Sequence, residues 1–149
     1  MTNYHIGIDL GATSGRIVLG CKNQHNTFDI EVVHRFENRL TQIDGHWCWD
    51  IHALWHEIIE GCRKAACKGV NIVSIGVDTW GVDVVMIDKN GEIIGQPIAY
   101  RDPYTTGVPE RVFREMSRED IYAVTGIQTM EINTLFQFIC TLKTSGICY

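Results

Sequence analysis

The chain has 149 residues, 45% hydrophobic and 21% charged, with a net charge of −5. That suffices for one domain with a buried core, and is short for an enzyme that must enclose two substrates. Its 13 basic residues are spread too thinly to form a phosphate-neutralising stripe, no apolar run approaches the about 20 residues of a membrane span, and the start MTNYHIGIDL lacks a basic leader or cleavage pattern. A soluble cytoplasmic protein is expected, with no nucleic acid and no membrane as partner.

His5 to Leu10 reads as a buried strand, Arg16 to Gly20 and Phe28 to Phe36 as two more, with CKNQHNT as a hairpin loop, so three antiparallel strands open the chain. In TQIDGHWCWD, Asp44-Gly45 marks a turn, and Trp47 and Trp49 suit a strand edge or a packing lid. Asp50 is the N-cap of a helix in which Ile51, Leu54, Trp55, Ile58, Ile59, Cys62, Ala65 and Ala66 recur at helical spacing, up to a left-handed Gly69. Val70 to Val77 reads as a strand buried on both faces. Val82 to Asp88 and Glu92 to Ile94 form a hairpin around the DKNG turn. Beyond the loop YRDPYTTG, three shorter helices are expected at Pro109 to Met116, Arg118 to Val124 and Asn133 to Leu142. Strands alternating with helices in this way point to a mixed sheet with helices packed on it, an α/β architecture.

Cys21, Cys48, Cys62, Cys67, Cys140 and Cys148 include no C-x-x-C pair and several lie among apolar residues, so reduced thiols are expected. A zinc centre drawn from His46, Cys48, His52 and His56 lacks the H-E-x-x-H pattern; a solvated histidine face is the simpler account.

Chemistry concentrates at two strand ends. In YHIGIDLGATSGR (4–16) an apolar strand runs into Asp9 and then a turn of glycine and hydroxyl residues, where converging backbone N–H groups can hold a phosphate. Gly11 and Gly15 are expected to adopt backbone angles that other residues resist, and Asp9 can help hold a divalent cation through its water shell. The loop is neither a Walker A motif nor a dinucleotide fingerprint, and a plain chain reversal is the competing reading. In GVDTWGVDVVMID (76–88) a strand ends in Asp78, Thr79, Trp80, Gly81 and Asp83. Sheet ligands bind outside the carboxyl ends of strands, so the tips carrying Asp9 and Asp78 could share one cleft. Trp80, Gly81 and Asp83 suit a sugar, offering an indole for its C–H face, room for close approach and a carboxylate for its hydroxyls; a tight turn with a packed tryptophan is the alternative. The loop YRD (100–102) can bind a polar ligand or pin itself by an internal ion pair, and Gly126, Gln128 and Asn133 offer amides as ligand contacts or, for Asn133 above all, as a cap.

Taken in order, DLGATSGR (9–16), HRFEN (34–38), WDI (49–51), IGVDTWGVD (75–83), PIAYRD (97–102), DIY (120–122), GIQ (126–128) and NTLFQ (133–137) resemble the FGGY carbohydrate kinases over nearly the whole chain. DTWGVD together with YRD and NTLFQ is similar to the branch of that family that acts on L-rhamnulose. The resemblance implies an α/β fold of the ribonuclease H-like, actin-like ATPase type, with a mixed sheet and flanking helices, incomplete in this chain. It implies ATP and Mg2+ as cofactors and L-rhamnulose as the sugar, converted to L-rhamnulose 1-phosphate. Ala12, Thr13, Ser14, Gly15 and Arg16 match the family's ATP-binding loop and Gly81 matches a sugar contact, with Trp80 and Asp83 beside it.

In the family the aspartate that takes the sugar hydroxyl's proton lies downstream, and a second actin-like domain supplies most of the adenosine pocket. Asp9, Asp78 and Asp83 match other parts of the pattern, so none of them is that base. Residues 1–149 are therefore expected to be the amino-terminal part of the first kinase domain, inactive alone and partnered by a missing C-terminal half. The likeness fades after Leu142 and the ending KTSGICY has no termination signal of its own, which fits a fragment. Two other readings are a non-catalytic sugar- or nucleotide-binding module, and a kinase for another ketose such as a pentulose.

Overall fold

The structure is a computed structural model and describes residues 2–144. Residues 145–149, with Cys148 and the end of KTSGICY, lie outside the described residues. The strands are β1 (Asn3–Leu10), β2 (Ser14–Lys22), β3 (Phe28–Glu37), β4 (Leu40–Ile43), β5 (His46–Trp49) and β6 (Asn71–Thr79). The helices are α1 (Ile51–Ala66), α2 (Val108–Val112), α3 (Arg118–Thr125) and α4 (Thr134–Thr144), with a short 3-10 turn at Pro103–Thr105. The chain divides into two compact units, one made of the chain up to Arg39 with Asp50–Gly81, the other of Leu40–Trp49 with the chain from Val82 onward.

In the first unit the meander β1, β2 and β3 is antiparallel, as the alternation of apolar residues predicts, and α1 carries the chain across to β6, which pairs parallel with β1. The sheet order is β3-β2-β1-β6. Alternate residues of β1 and β2, Ile6, Ile8, Ile17 and Leu19, point to one face and form the core with Phe36, Leu54 and Ala65. The Asp50 side chain accepts from the Ala53 N–H at 2.9 Å and caps α1, and Gly69 is left-handed at φ 69° just beyond it, both as expected. Trp55 departs from the expected apolar stripe and is 62% exposed. Helix and sheet meet most closely at Gly61, where an added Cβ would stand 2.3 Å from Ile17 Cγ1.

β6 also departs from expectation. Rather than being buried on both faces, it leaves Val73, Ile75 and Val77 exposed. An apolar run fits a central strand, but no strand lies beyond β6 among the described residues to cover it.

In the second unit β4 and β5 form a hairpin through Asp44 (φ 51°) and Gly45 (φ 85°), the pair of left-handed residues that a tight reverse turn needs. The expected strands at 82–88 and 92–94 are reduced to one bridge, Ile87 with Ile93, and three backbone bonds around the DKNG turn. Asp88 accepts from the Asn90 and Glu92 N–H groups there, so the turn forms without extended arms. The helix expected to Met116 ends at Val112. Among the described residues no helix is long and apolar enough to cross a membrane, and Cys21, Cys48, Cys62, Cys67 and Cys140 are free thiols.

Gly61→Ala tests the helix–sheet contact. Helix propensity alone would favour alanine by about 1 kcal/mol, whereas forcing a methyl against Ile17 costs about 1–3 kcal/mol. The expected outcome is a lower urea midpoint; an unchanged or higher one would show that the contact is loose.

Candidate functional site

The turn after β1 is held by its own backbone and by one asparagine. The Gly11 N–H donates to Ser14 O at 2.9 Å, Asn38 Nδ2 donates to Gly11 O at 2.9 Å, and the Asn38 N–H donates to Thr13 O at 3.0 Å. Asn38 is itself buried, so the loop is pinned from below while Thr13, Ser14 and Arg16 stay exposed. Ala12 is half-buried.

The glycines serve a different purpose from the one expected. Neither Gly11 nor Gly15 has a positive φ. A Cβ on Gly11 would stand 2.9 Å from Ser14 O, and one on Gly15 would fall 2.1 Å from Phe36 Cζ, in clash with the ring. Close approach, not backbone angle, excludes a side chain at both positions.

Parallel pairing of β1 with β6 places Asp9 directly beside Asp78, and Leu10 beside Thr79. Neighbouring strands lie about 4.8 Å apart, so the two carboxylates leave adjacent strand tips on the same face. Arg16, the partner of Asp9 across the β1–β2 ladder, donates through Nε to Asp9 Oδ2 at 2.6 Å. Both side chains are close to half exposed, so the pair adds at most about 1 kcal/mol and can exchange partners. Trp80 packs partly against the core of the first unit, as the packed-tryptophan reading holds, and a Cβ on Gly81 would meet nothing within 4 Å.

Asp83, in the second unit, is half-buried and sits in a part-buried polar network. Trp49 Nε1 donates to Asp83 Oδ2 at 2.5 Å and Gln137 Nε2 to Asp83 Oδ1 at 3.0 Å. Gln137 also donates to Ile132 O and accepts from the Tyr104 hydroxyl at 2.7 Å. Trp49 and Gln137 are buried, and burial followed by the nearby Asp83 carboxylate pushes the Tyr104 hydroxyl well above its usual range. Val82 next to Asp83 holds φ 143°, a conformation rare for a β-branched residue, and its carbonyl accepts from Thr134 Oγ1.

Asp102 organises the YRD loop, though not through an ion pair with Arg101. Its carboxylate accepts from the Trp47 N–H at 2.7 Å, the Tyr104 N–H at 2.9 Å and His46 Nδ1 at 3.1 Å. Burial pushes its pKa up, but these hydrogen bonds outweigh burial and hold it below the usual carboxylate range. Arg101 instead stacks over Tyr100. Asn133 ties the preceding loop rather than capping α4 with its side chain, accepting from the Met130 N–H and donating to Gln128 O. Among the described residues no three His, Cys, Asp or Glu side chains cluster as metal ligands, and His52 and His56 are exposed.

Residue composition pointed to Asp9, the 12–16 loop, Trp80, Gly81 and Asp83, and missed Asn38, Tyr104 and Gln137. Gln137 carried a usable signal as a lone amide within the apolar run of NTLFQFIC. Asn38 lies in the HRFEN segment that carries the family resemblance, but nothing local in it or around Tyr104 marks the role, because their partners lie 27 and 33 residues away.

The profile of the FGGY family of carbohydrate kinases, N-terminal domain, matches residues 4–139. The chain belongs to this family. It is 47% identical over 137 residues to a rhamnulokinase of Bacteroides thetaiotaomicron, covering 92% of this chain and 28% of the relative. It is also 47% identical over 131 residues to a rhamnulokinase of Mannheimia succiniciproducens, covering 87% and 27%. The chain thus spans about 28% of the length of the curated relatives it matches. Among solved structures it resembles a gluconate kinase from Lactobacillus acidophilus, with a TM-score of 0.78 at 17% identity over 98% of this chain and 29% of that one. A xylulose kinase from the same organism gives 0.77 at 17% identity, over 97% and 29%. At that identity these two establish shared fold only. Together with the mixed sheet and its flanking helices they place the chain in the actin-like ATPase fold, present here in part.

Two outcomes follow for the second unit. Gln137→Leu leaves the Tyr104 hydroxyl and one Asp83 oxygen without that partner, and should cost about 3 kcal/mol in a urea titration, near the top of the range for a buried polar group; a loss within error would mean that water replaces the amide. Because Asp102 is depressed on folding, its stabilising contribution is present above the unfolded value of about 3.9 and lost as pH falls through the lower folded value. Stability should therefore decline with acid below about pH 4, and Asp102→Asn should flatten that decline; an unaltered slope would assign it to other carboxylates, with Asp88 the first to examine.

Proposed function

We propose that this chain is the amino-terminal part of the first domain of an ATP-dependent sugar kinase that transfers the γ-phosphoryl group of ATP to L-rhamnulose, giving L-rhamnulose 1-phosphate. The observation that carries the reading is the juxtaposition at one end of the first unit's sheet. A backbone-pinned turn with exposed Thr13, Ser14 and Arg16 follows the same strand tip whose Asp9 lies beside Asp78. The names of the relatives at 47% identity support the choice of sugar.

Phosphoryl transfer asks little covalent chemistry of the protein; it needs positioning and charge neutralisation around the transferring group. The backbone of residues 12–16 would cradle phosphate oxygens, and Arg16 would exchange its exposed contact with Asp9 for a phosphate. A hard divalent cation that keeps much of its water is commonly held by one or two carboxylates, which the adjacent Asp9 and Asp78 fit. Mg2+ bound there would supply charge neutralisation for the phosphates. Trp80 and the open space at Gly81 would form the sugar wall, and Asp83 enters as the anchor of the segment after Gly81, through its bonds to Trp49 and Gln137. The base that takes the sugar hydroxyl's proton, and most of the adenosine pocket, would lie in the portion of the kinase outside this chain.

The direct test is a coupled assay for ADP with L-rhamnulose and Mg-ATP. The chain alone should turn over negligibly; ADP formation at an ordinary sugar-kinase rate would overturn its reading as a part. In a protein that contains this segment together with the remainder of the kinase, Asp9→Asn should lower kcat by about 100-fold or more, the scale of losing one preorganised electrostatic contact. Trp80→Ala in the same protein should change the relative rates with L-rhamnulose and with a pentulose; an unchanged profile would remove Trp80 from the sugar site.

A further inference from the structure

The end of β3 and the residue after it grip the turn that follows β1. Phe36 lies so close under Gly15 that a Cβ there would stand 2.1 Å from Phe36 Cζ. Two residues on, Asn38 donates through Nδ2 to Gly11 O at 2.9 Å and through its backbone N–H to Thr13 O at 3.0 Å. Glu37, between them, is exposed and pairs with Arg39 instead. Asn38 is only 8% exposed. A buried amide is costly unless its hydrogen bonds are made, whereas an apolar residue could fill the same space without that requirement. What the asparagine adds is direction.

A trans peptide is planar, and its C=O and N–H point opposite ways. With the Gly11 and Thr13 carbonyls held toward Asn38, the N–H groups that follow them, those of Ala12 and Ser14, are turned away from it. The Ser14 carbonyl is occupied by the Gly11 N–H. Donors therefore collect on the side of the turn away from Asn38, which is the polarity that an anion needs. A short loop containing glycine, left untethered, also samples orientations in which a carbonyl would meet the phosphate and repel it.

We propose that Asn38 is a positioning residue for ATP, fixing the backbone of residues 11–14 so that the Ala12 and Ser14 N–H groups receive phosphate oxygens. The inference rests on the kinase reading above and adds to it a residue outside the 12–16 loop, 27 positions from the carbonyl that it holds. Asn38 acts through the turn and not on the nucleotide. Its bonds are made when the chain folds, so the turn does not have to be ordered again when ATP arrives.

The test uses a protein that contains this segment together with the remainder of the kinase, with Mg-ATP and L-rhamnulose as probes. Asn38→Asp keeps the size of the side chain and the backbone bond to Thr13 O, but an ionised carboxylate cannot donate to Gly11 O and repels it. At about pH 8, well above ordinary carboxylate values, the variant should bind Mg-ATP about 10-fold more weakly by calorimetry, the scale of one lost hydrogen bond. KM for ATP should rise with it, while KM for L-rhamnulose stays unchanged. On acidification the protonated acid regains a donor, so the gap between the variant and the unaltered protein should narrow. In the variant without ligand, hydrogen exchange should quicken at residues 12–15 and not in α1. If Asn38→Asp does not fold, the uncharged Asn38→Ser, whose shorter side chain falls short of Gly11 O, should show the same split between the two KM values. Unchanged binding of Mg-ATP, KM values that rise together, or a gap indifferent to pH would each overturn the proposal and leave the kinase reading standing. Failure of the unaltered protein to bind Mg-ATP would overturn both.

Discussion

Parallel pairing of β6 with β1 governs most of what is notable in the first unit. The two strands are separated in the chain by four further strands and a sixteen-residue helix, and α1 packs over the core of Ile6, Ile8, Ile17 and Leu19 that they share. That packing is possible because Gly61 lets the helix approach to within a methyl group's distance of Ile17. Once the strands pair in register, Asp9 and Asp78 have to emerge side by side, since residues of equal register in a parallel pair leave the same face. The proximity of two like charges would be unfavourable by itself. Arg16, opposite Asp9 on the antiparallel side, offsets it while remaining exposed enough to exchange partners.

The second unit depends on multiply hydrogen-bonded carboxylates, the buried Asp102 and the half-buried Asp83, in a comparable way. Asp83 accepts from the distant Trp49 and Gln137, and Asp102 from the distant His46 and Trp47 together with its near neighbour Tyr104. A region with few regular strands cannot satisfy its backbone through long ladders. Carboxylates that accept several N–H groups take that place, at the expense of making the unit sensitive to acid and to the loss of a single amide.

Much of the fold was legible. The meander, the capped α1, the Asp44-Gly45 turn and α3 follow from local patterns, because apolar spacing, N-cap chemistry and left-handed turn residues act over a few positions. The failures have a shared cause. β6 was read as buried from its apolar run, but burial depends on what lies beside a strand, not on the strand. The arms around DKNG were read as strands from the same residue types, yet Asp88 satisfies the turn by itself. At the site, Asp9, the glycine-rich turn and Trp80-Gly81 were marked by residue type, whereas the hold of Asn38 on the loop had no local signal.

By itself, the sequence determined most of the local elements and the family, since these are written in short motifs. Tertiary structure alone decided what the candidate site residues do to one another. It replaced backbone angle by close approach as the reason for Gly11 and Gly15, put Asp78 next to Asp9, turned Asp83 and Asp102 into hydrogen-bonded anchors and left β6 uncovered. The physical reason is that propensity and periodicity act along the chain, while contact distance, desolvation and edge exposure arise only between segments brought together by folding.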